Sequence, residues 1–153
     1  MPGEEITITV MPPGHYVLDG LNTRFDEYWS LPAVRRFNHI DGVAPYNGTV
    51  AVVNNSIALS NEELAVDAIQ ELCRQCEDAA KWVGAKAPIR IDCRAGAEKK
   101  YRLFDLNMKP NLTGPSRPHR QDQTCLSAIA SEAMGWDFSD LILNMLMQCW
   151  KLA

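Results

Sequence analysis

The chain has 153 residues, enough for one domain that buries roughly two-thirds of the surface its unfolded form exposes. Hydrophobic residues make up 46%, charged residues 22%, and the net charge is −4, which disfavours a nucleic-acid or anionic-membrane surface. No apolar run approaches the ~18 residues that cross a bilayer. The start of the chain lacks the basic and apolar regions of a secretory leader, so the expected compartment is cytoplasmic.

In chain order, the first predicted element is a strand over 5–11 (EITITVM). Ile6, Ile8 and Val10 share one face and Thr7 and Thr9 the other, the period of two that marks a half-buried strand. Pro12, Pro13 and Gly14 break it, and 15–18 returns as a hairpin partner. Residues 19–32 have no regular period and read as a loop. Strands follow at 33–38 and, more firmly, at 48–53 (GTVAVV), with Pro45, Asn47 and Gly48 supplying turn chemistry between them.

A helix over 60–83 is the clearest element. Ser60 and Glu63 make a capping box, and Leu64, Ala68, Ile69, Leu72, Cys76, Ala79, Ala80 and Val83 form one apolar stripe. Gly84 ends it as a left-handed glycine does. The five cysteines, Cys73, Cys76, Cys93, Cys125 and Cys149, are odd in number and a poor disulfide framework. Cys73 and Cys76 form a CxxC inside this helix with no second Cys or His pair nearby, so a core role outweighs a redox or zinc site.

Two strands, 88–94 and 100–107, joined by the short polar connection 95–99, predict a β-hairpin. Residues 108–122 hold three prolines, a glycine and three basic residues and read as a loop. Helices at 124–134 and 139–151 close the chain, the second with Leu141, Ile142, Met145, Leu146 and Cys149 on one face. With no repeat, low-complexity tract or linker, the expected architecture is α+β: one domain over 1–153, a mainly antiparallel sheet with packed helices.

The hairpin carries the chemistry. Asp105 and Asn107 are two apart on its second strand and share a face; in register, Asp92 on the first strand is a cross-strand neighbour of Asp105. Three oxygen-bearing side chains then converge, while Ile91, Leu103 and Leu106 point the other way. Two carboxylates that close repel unless protonated or bridged by a cation, and oxygen donors suit a hard ion such as Mg²⁺. Mg²⁺ takes few protein carboxylates and completes its shell with water and phosphate oxygens, which points to a nucleotide-phosphate site. The alternative is a set of solvated strand residues, with Asp105 paired to Arg90 or Arg102.

RID at 90–92 followed by LFDLNMKPNLTG at 103–114 resembles the signature of the ATP-grasp superfamily, in the branch similar to D-alanine–D-alanine ligase. There one strand supplies an Asp, and the next supplies an acidic residue, a spacer and an Asn, ahead of a Pro–Gly–Met–Thr-like turn. The resemblance implies that Asp92, Asp105 and Asn107 hold Mg²⁺ (or Mn²⁺), with Asp105 replacing the commoner Glu. It implies that Arg90 contacts phosphate or the tetrahedral intermediate. Asn111 stands where many ligases place a Gly whose amide helps hold the oxyanion. GEEITITV at 3–10 is similar to the segment after the adenine-contacting hinge, which implies that Glu5 accepts hydrogen bonds from the ribose.

FSDLILNML at 138–146 is similar to the family's last helix, and RFNHIDGVAPYNG at 36–48 fits a narrower subgroup. Arg35 and Arg36 fall where some members carry a phosphate-contacting lysine; the alternative is a solvated strand. Lys109, with Arg117 and Arg120, flanks the loop after the metal ligands, either as a clamp on a substrate carboxylate or as a solvated segment. His39 and His119 are candidates for acid–base work, but each stands alone in the sequence, and the alternative is a surface histidine.

By this resemblance the function is Mg·ATP-dependent ligation of a carboxylate to an amine (or thiol) through an acylphosphate. The chain corresponds to the C-terminal part of the ATP-grasp fold: it has no Gly-rich phosphate-covering loop and no lysine pair ahead of the hinge. The N-terminal and lid subdomains are expected elsewhere, in a missing lobe or a partner chain, and the chain alone is expected to lack turnover. The implied partners are small-molecule carboxylate and amine substrates. The competing reading is a truncated, non-catalytic relative that binds a partner or self-associates into a homo-oligomer through the face the other lobe would cover.

Overall fold

A computed structural model describes residues 3–39, 51–98, 100–114, 119 and 123–148. Along the chain lie β1 (Glu5–Met11), β2 (Gly14–Leu18), β3 (Leu21–Phe25), β4 (Trp29–Ser30), β5 (Val34–Arg36) and β6 (Ser56–Ala58). They are followed by α1 (Asn61–Leu64), α2 (Asp67–Trp82), β7 (Ile89–Ala95), β8 (Tyr101–Asn107), α3 (Leu126–Ala133) and α4 (Phe138–Met147). The main sheet runs β6–β5–β1–β7–β8, with β4 also pairing β1, and each of its pairings is antiparallel. The expected α+β architecture with a mainly antiparallel sheet is the one observed.

β1 is the central strand, and all seven of its residues are buried. Ile6, Ile8 and Val10 pack with Ile89, Ile91 and Cys93 of β7 under Ile69, Leu72, Cys76 and Ala80 of α2. Each large apolar side chain so covered contributes about 1.5–3 kcal/mol relative to exposure. The other face of β1 is not left to water: α3 and α4 cover part of it, through a second core of Met11, Tyr16, Leu31, Val34, Leu126, Trp136 and Leu141. This second layer is why β1 is buried on both faces, although its alternation predicts a half-buried strand.

Other expectations are corrected. Residues 15–18 do not pair with β1. β2 pairs with β3 in a separate ribbon, so part of 19–32 is strand. Asp19 (φ 49°) and Gly20 (φ 75°) lie in the left-handed region, as the primed two-residue hairpin turn requires. Ring contacts of Tyr16 with Phe25 (5.6 Å), Trp29 (5.0 Å) and Trp136 (6.4 Å) fasten this ribbon to the second core. Of the expected strand at 48–53, the described part leads into a 3₁₀ turn, Val52–Asn54, and the strand is β6 instead.

The helix expected over 60–83 is two. Ser60 and Glu63 do form the capping box, but Val66 is extended (φ −68°, ψ 130°) and starts α2 afresh. Gln70 Nε2 satisfies the Leu64 carbonyl left at the break (2.7 Å). Gly84 (φ 61°) ends the segment as expected. On α4 the inward residues are Leu141 and Asn144, whereas Leu146 is 62% exposed. The Asn144 amide accepts from Val17 N (2.7 Å) and donates to Val17 O (3.2 Å), so it finishes the open edge of β2 as a neighbouring strand would. Among the described residues no helix is long and apolar enough to cross a membrane.

Candidate functional site

The face of the sheet opposite α2 is polar because alternate residues of three strands agree. Glu5, Thr7 and Thr9 on β1 stand opposite Arg94, Asp92 and Arg90 on β7. On β7's other side, Asp92 faces Asp105 and Arg90 faces Asn107. Asp92, Asp105 and Asn107 are therefore brought to one face, in the register the hairpin pattern predicts. A plain strand would not do this while burying Leu103, since residues 103 and 105 share parity. The register shifts there: Cys93 pairs with Leu103 and Asp92 with Asp105, leaving Phe104 as the extra residue of a β-bulge. The bulge turns Leu103 to the α2 core and Asp105 to the polar face.

Asp92 is 7% exposed. Thr7 Oγ1 donates to its Oδ1 (2.7 Å), and an Arg90 NH2 group donates to its Oδ2 (3.2 Å). Asp105 is exposed and forms no ion pair or hydrogen bond among the described residues, neither with Arg90 nor with Arg102. Asn107 is half-buried, and its side-chain oxygen accepts from the Lys109 backbone N–H (3.0 Å). Lys109 itself is exposed at the start of the following loop. That loop is held at Gly114, where an added Cβ would meet the Phe138 ring at 2.5 Å. Asn111 accepts from the Thr113 hydroxyl. Arg117 and Arg120 lie outside the described residues, as do 40–48 of the 36–48 motif, and His119 is exposed in a turn.

Glu5 is 4% exposed and faces three basic side chains. Arg94 donates to its Oε2 (2.7 Å), His39 Nε2 lies 3.0 Å from the same oxygen, and an Arg36 NH group is 3.8 Å from Oε1. Burial lowers the pKa of Arg36, against the pull of Glu5 and Asp92. Arg94 also lies over the Phe104 ring, 5.3 Å from its centroid. Arg35 and Arg36 separate: Arg36 stands opposite Glu5 on the polar face, whereas Arg35 stands opposite Ile6 on the α2 side, bonded to Glu4 and Glu63. That side also carries a cavity of about 450 Å³ lined by Arg35, Glu4, Glu63 and Tyr101, away from the polar face.

Thr7, which orients Asp92, and Arg94 and His39, which hold Glu5, are members of this cluster that motif reading does not find. Thr7 and Arg94 enter through the β1–β7 register, which sets them opposite Asp92 and Glu5 and which no motif marks. Cys76 packs in the other core with its Sγ 3.7 Å from Cys93 Sγ, and burial pushes the Cys73 thiol up to about 11. A thiol so shifted is a poor nucleophile at neutral pH.

No protein-family model matches the chain, and no curated protein does. Solved structures do. A D-alanine–D-alanine ligase from Coxiella burnetii matches over 97% of this chain and 32% of its own, at 14% identity and a TM-score of 0.61. The VanG D-Ala:D-Ser ligase from Enterococcus faecalis matches over 96% and 36%, at 14% identity and 0.58. D-alanyl-alanine synthetase A from Vibrio cholerae matches over 95% and 39%, at 13% identity and 0.51. At these identities the likeness is one of fold: the chain has the fold of part of each of these ligase structures. The chain spans about a third of the length of these structures, consistent with a C-terminal part.

The chemistry of the polar face fits a divalent ion. Two carboxylates and an amide oxygen are hard donors, suited to Mg²⁺ or Mn²⁺. Among the described residues no group of three or more His, Cys, Asp or Glu side chains is placed to hold a metal. An ion held by so few protein oxygens would complete its shell with water or with oxygens of an anionic ligand.

Proposed function

We propose that this chain is the metal-binding part of an Mg·ATP-dependent ligase that joins a carboxylate to an amine (or thiol) through an acylphosphate. The supporting observation is the β7–β8 register, Asp92 against Asp105 and Arg90 against Asn107, on a face shared with Glu5 and Arg36. When bound, the metal supplies neutralisation of phosphate charge during phosphoryl transfer.

On this reading Asp92, Asp105 and Asn107 hold the ion, and Thr7 fixes the Asp92 carboxylate. Arg90 offers its guanidinium to phosphate and to a developing oxyanion. Glu5 offers Oε1, 3.8 Å from Arg36, to a ribose hydroxyl, because Arg94 and His39 occupy Oε2. Arg36 binds phosphate and Lys109 the substrate carboxylate. The lobe that recognises the acid and the nucleophile belongs to the two-thirds of the fold that this chain does not span.

The test uses the protein in which this chain is joined to, or assembled with, the rest of the fold. Asp105→Ala is expected to abolish acylphosphate formation, trapped as a hydroxamate, while thermal melting stays unchanged. Full activity in that variant rejects the reading. A second reading, a non-catalytic self-associating module, is favoured by the apolar outer side of α4, where Leu143 is 51% exposed and Leu146 62%. It requires oligomers by light scattering and no ATP-dependent phosphate release.

A further inference from the structure

We infer that Arg90 is a built-in counter-cation at Asp92: it holds the place of the metal's charge and leaves only when an anion arrives to take it. The inference rests on the metal-site reading above and concerns what controls entry to that site. Arg90 and Asp92 are two apart on β7 and share its polar face. Their side chains are 17% and 10% exposed, and one NH2 group bonds Oδ2 at 3.2 Å. With Thr7 on Oδ1, both carboxylate oxygens are already engaged, while Asp105 directly across the hairpin is not.

The grip of Arg90 is incomplete. A guanidinium matched to a carboxylate makes two short parallel bonds; here one longer bond is formed, and the buried Nε–H has no hydrogen-bond partner among the described residues. An Arg with an unsatisfied donor beside a carboxylate is poised for a better acceptor, and a phosphate offers three oxygens at bidentate spacing. Charge points the same way. On this face Arg36, Arg90 and Arg94 stand against Glu5, Asp92 and Asp105, so the guanidinium groups already offset the carboxylates. A divalent ion added alone would meet those cations in a half-buried setting, where repulsion is poorly screened. A polyphosphate entering with it restores the balance and draws Arg90 off Asp92. Metal and anion thus bind with positive coupling, each raising the affinity of the other.

The probe is Mn²⁺ alone, with free ion counted by electron paramagnetic resonance. Arg90→Gln is expected to bind bare Mn²⁺ about tenfold more tightly than the unaltered protein, the reverse of what loss of a structural contact produces. Arg90→Lys keeps the charge and is expected to stay close to the unaltered protein. Asp105→Asn placed in the Arg90→Gln background is expected to erase the gain. An unchanged or weaker Mn²⁺ affinity in folded Arg90→Gln overturns the inference.

A measurement on the unaltered protein needs no variant to fold. Sulfate, a guanidinium ligand and a weak Mn²⁺ chelator, is expected to raise Mn²⁺ affinity, and no effect at millimolar sulfate counts against Arg90 in the same way. Calorimetry with Mg²⁺ and the β,γ-imido analogue of ATP reports on the function reading separately. Nucleotide binding without an Arg90→Gln gain removes the counter-cation alone. The gain without nucleotide binding removes the nucleotide assignment alone.

Discussion

The two faces of the main sheet are built from the same strands yet behave as different materials. On the α2 side, Ile6, Ile8, Val10, Ile89, Ile91 and Cys93 are at most 1% exposed and bury no unpaired charge. On the other side, Glu5 and Asp92 are buried too, but each is held by charged and hydroxyl partners. Burying a paired charge rarely adds stability over an apolar pair of similar volume, because desolvation consumes the Coulomb gain. The first face contributes folding free energy throughout, as the second core does beside the polar cluster. The polar cluster is retained at a cost, which is the signature expected of a site.

This contrast is breakable. The largest effect belongs to the apolar face: Leu72→Ala is expected to lose about 2–5 kcal/mol in urea unfolding, with the polar face intact. A loss near zero would mean that α2 does not anchor the sheet. Thr7→Val comes next. It leaves Oδ1 of a buried carboxylate without its donor, an expected loss of about 1–3 kcal/mol, and it loosens Asp92 for any ligand.

Glu63 supplies a smaller, pH-dependent effect away from both cores. Its carboxyl is held below its ordinary value of 4.5, first by the Ser60 backbone N–H and then by Arg35. The stabilisation is full above that value and is lost as pH falls through the lowered one. The stability gap between the unaltered chain and Glu63→Gln should therefore be present at pH 7 and close in acid. A gap that widens in acid would reverse the sign. Least of all, Asp105→Ala should change stability by no more than about 0.5 kcal/mol, since Asp105 is exposed and unpaired among the described residues. A large loss would make Asp105 a structural residue and weaken its claim as a ligand.

The polar trio was legible because strand parity is a rigid rule: once 88–94 and 100–107 read as a hairpin, Asp105 and Asn107 had to share a face. Leu103 on the opposite face was expected as well, yet parity alone forbids it, and the bulge at Phe104 reconciles the two. Capping at Ser60 and the stop at Gly84 were legible for the same reason, each being local chemistry. The hairpin at Asp19–Gly20 was present in the sequence and missed, since β3 (LNTRF) lacks apolar alternation. The inward Asn144 was hidden in a different way. Its place depends on two backbone groups of Val17, far away in sequence, and no apolar stripe marks it. The Arg94–Glu5 pair needed the β1–β7 register, which neither strand specifies by itself.

The central claim is that one face of this sheet gathers a divalent ion between β7 and β8. The direct measurement is paramagnetic broadening of backbone amide resonances on titrating Mn²⁺ together with the β,γ-imido analogue of ATP. The account predicts early loss of signals from residues 90–92 and 105–107, abolished by Asp105→Ala. Broadening that spares both strands, or that survives Asp105→Ala unchanged, contradicts it.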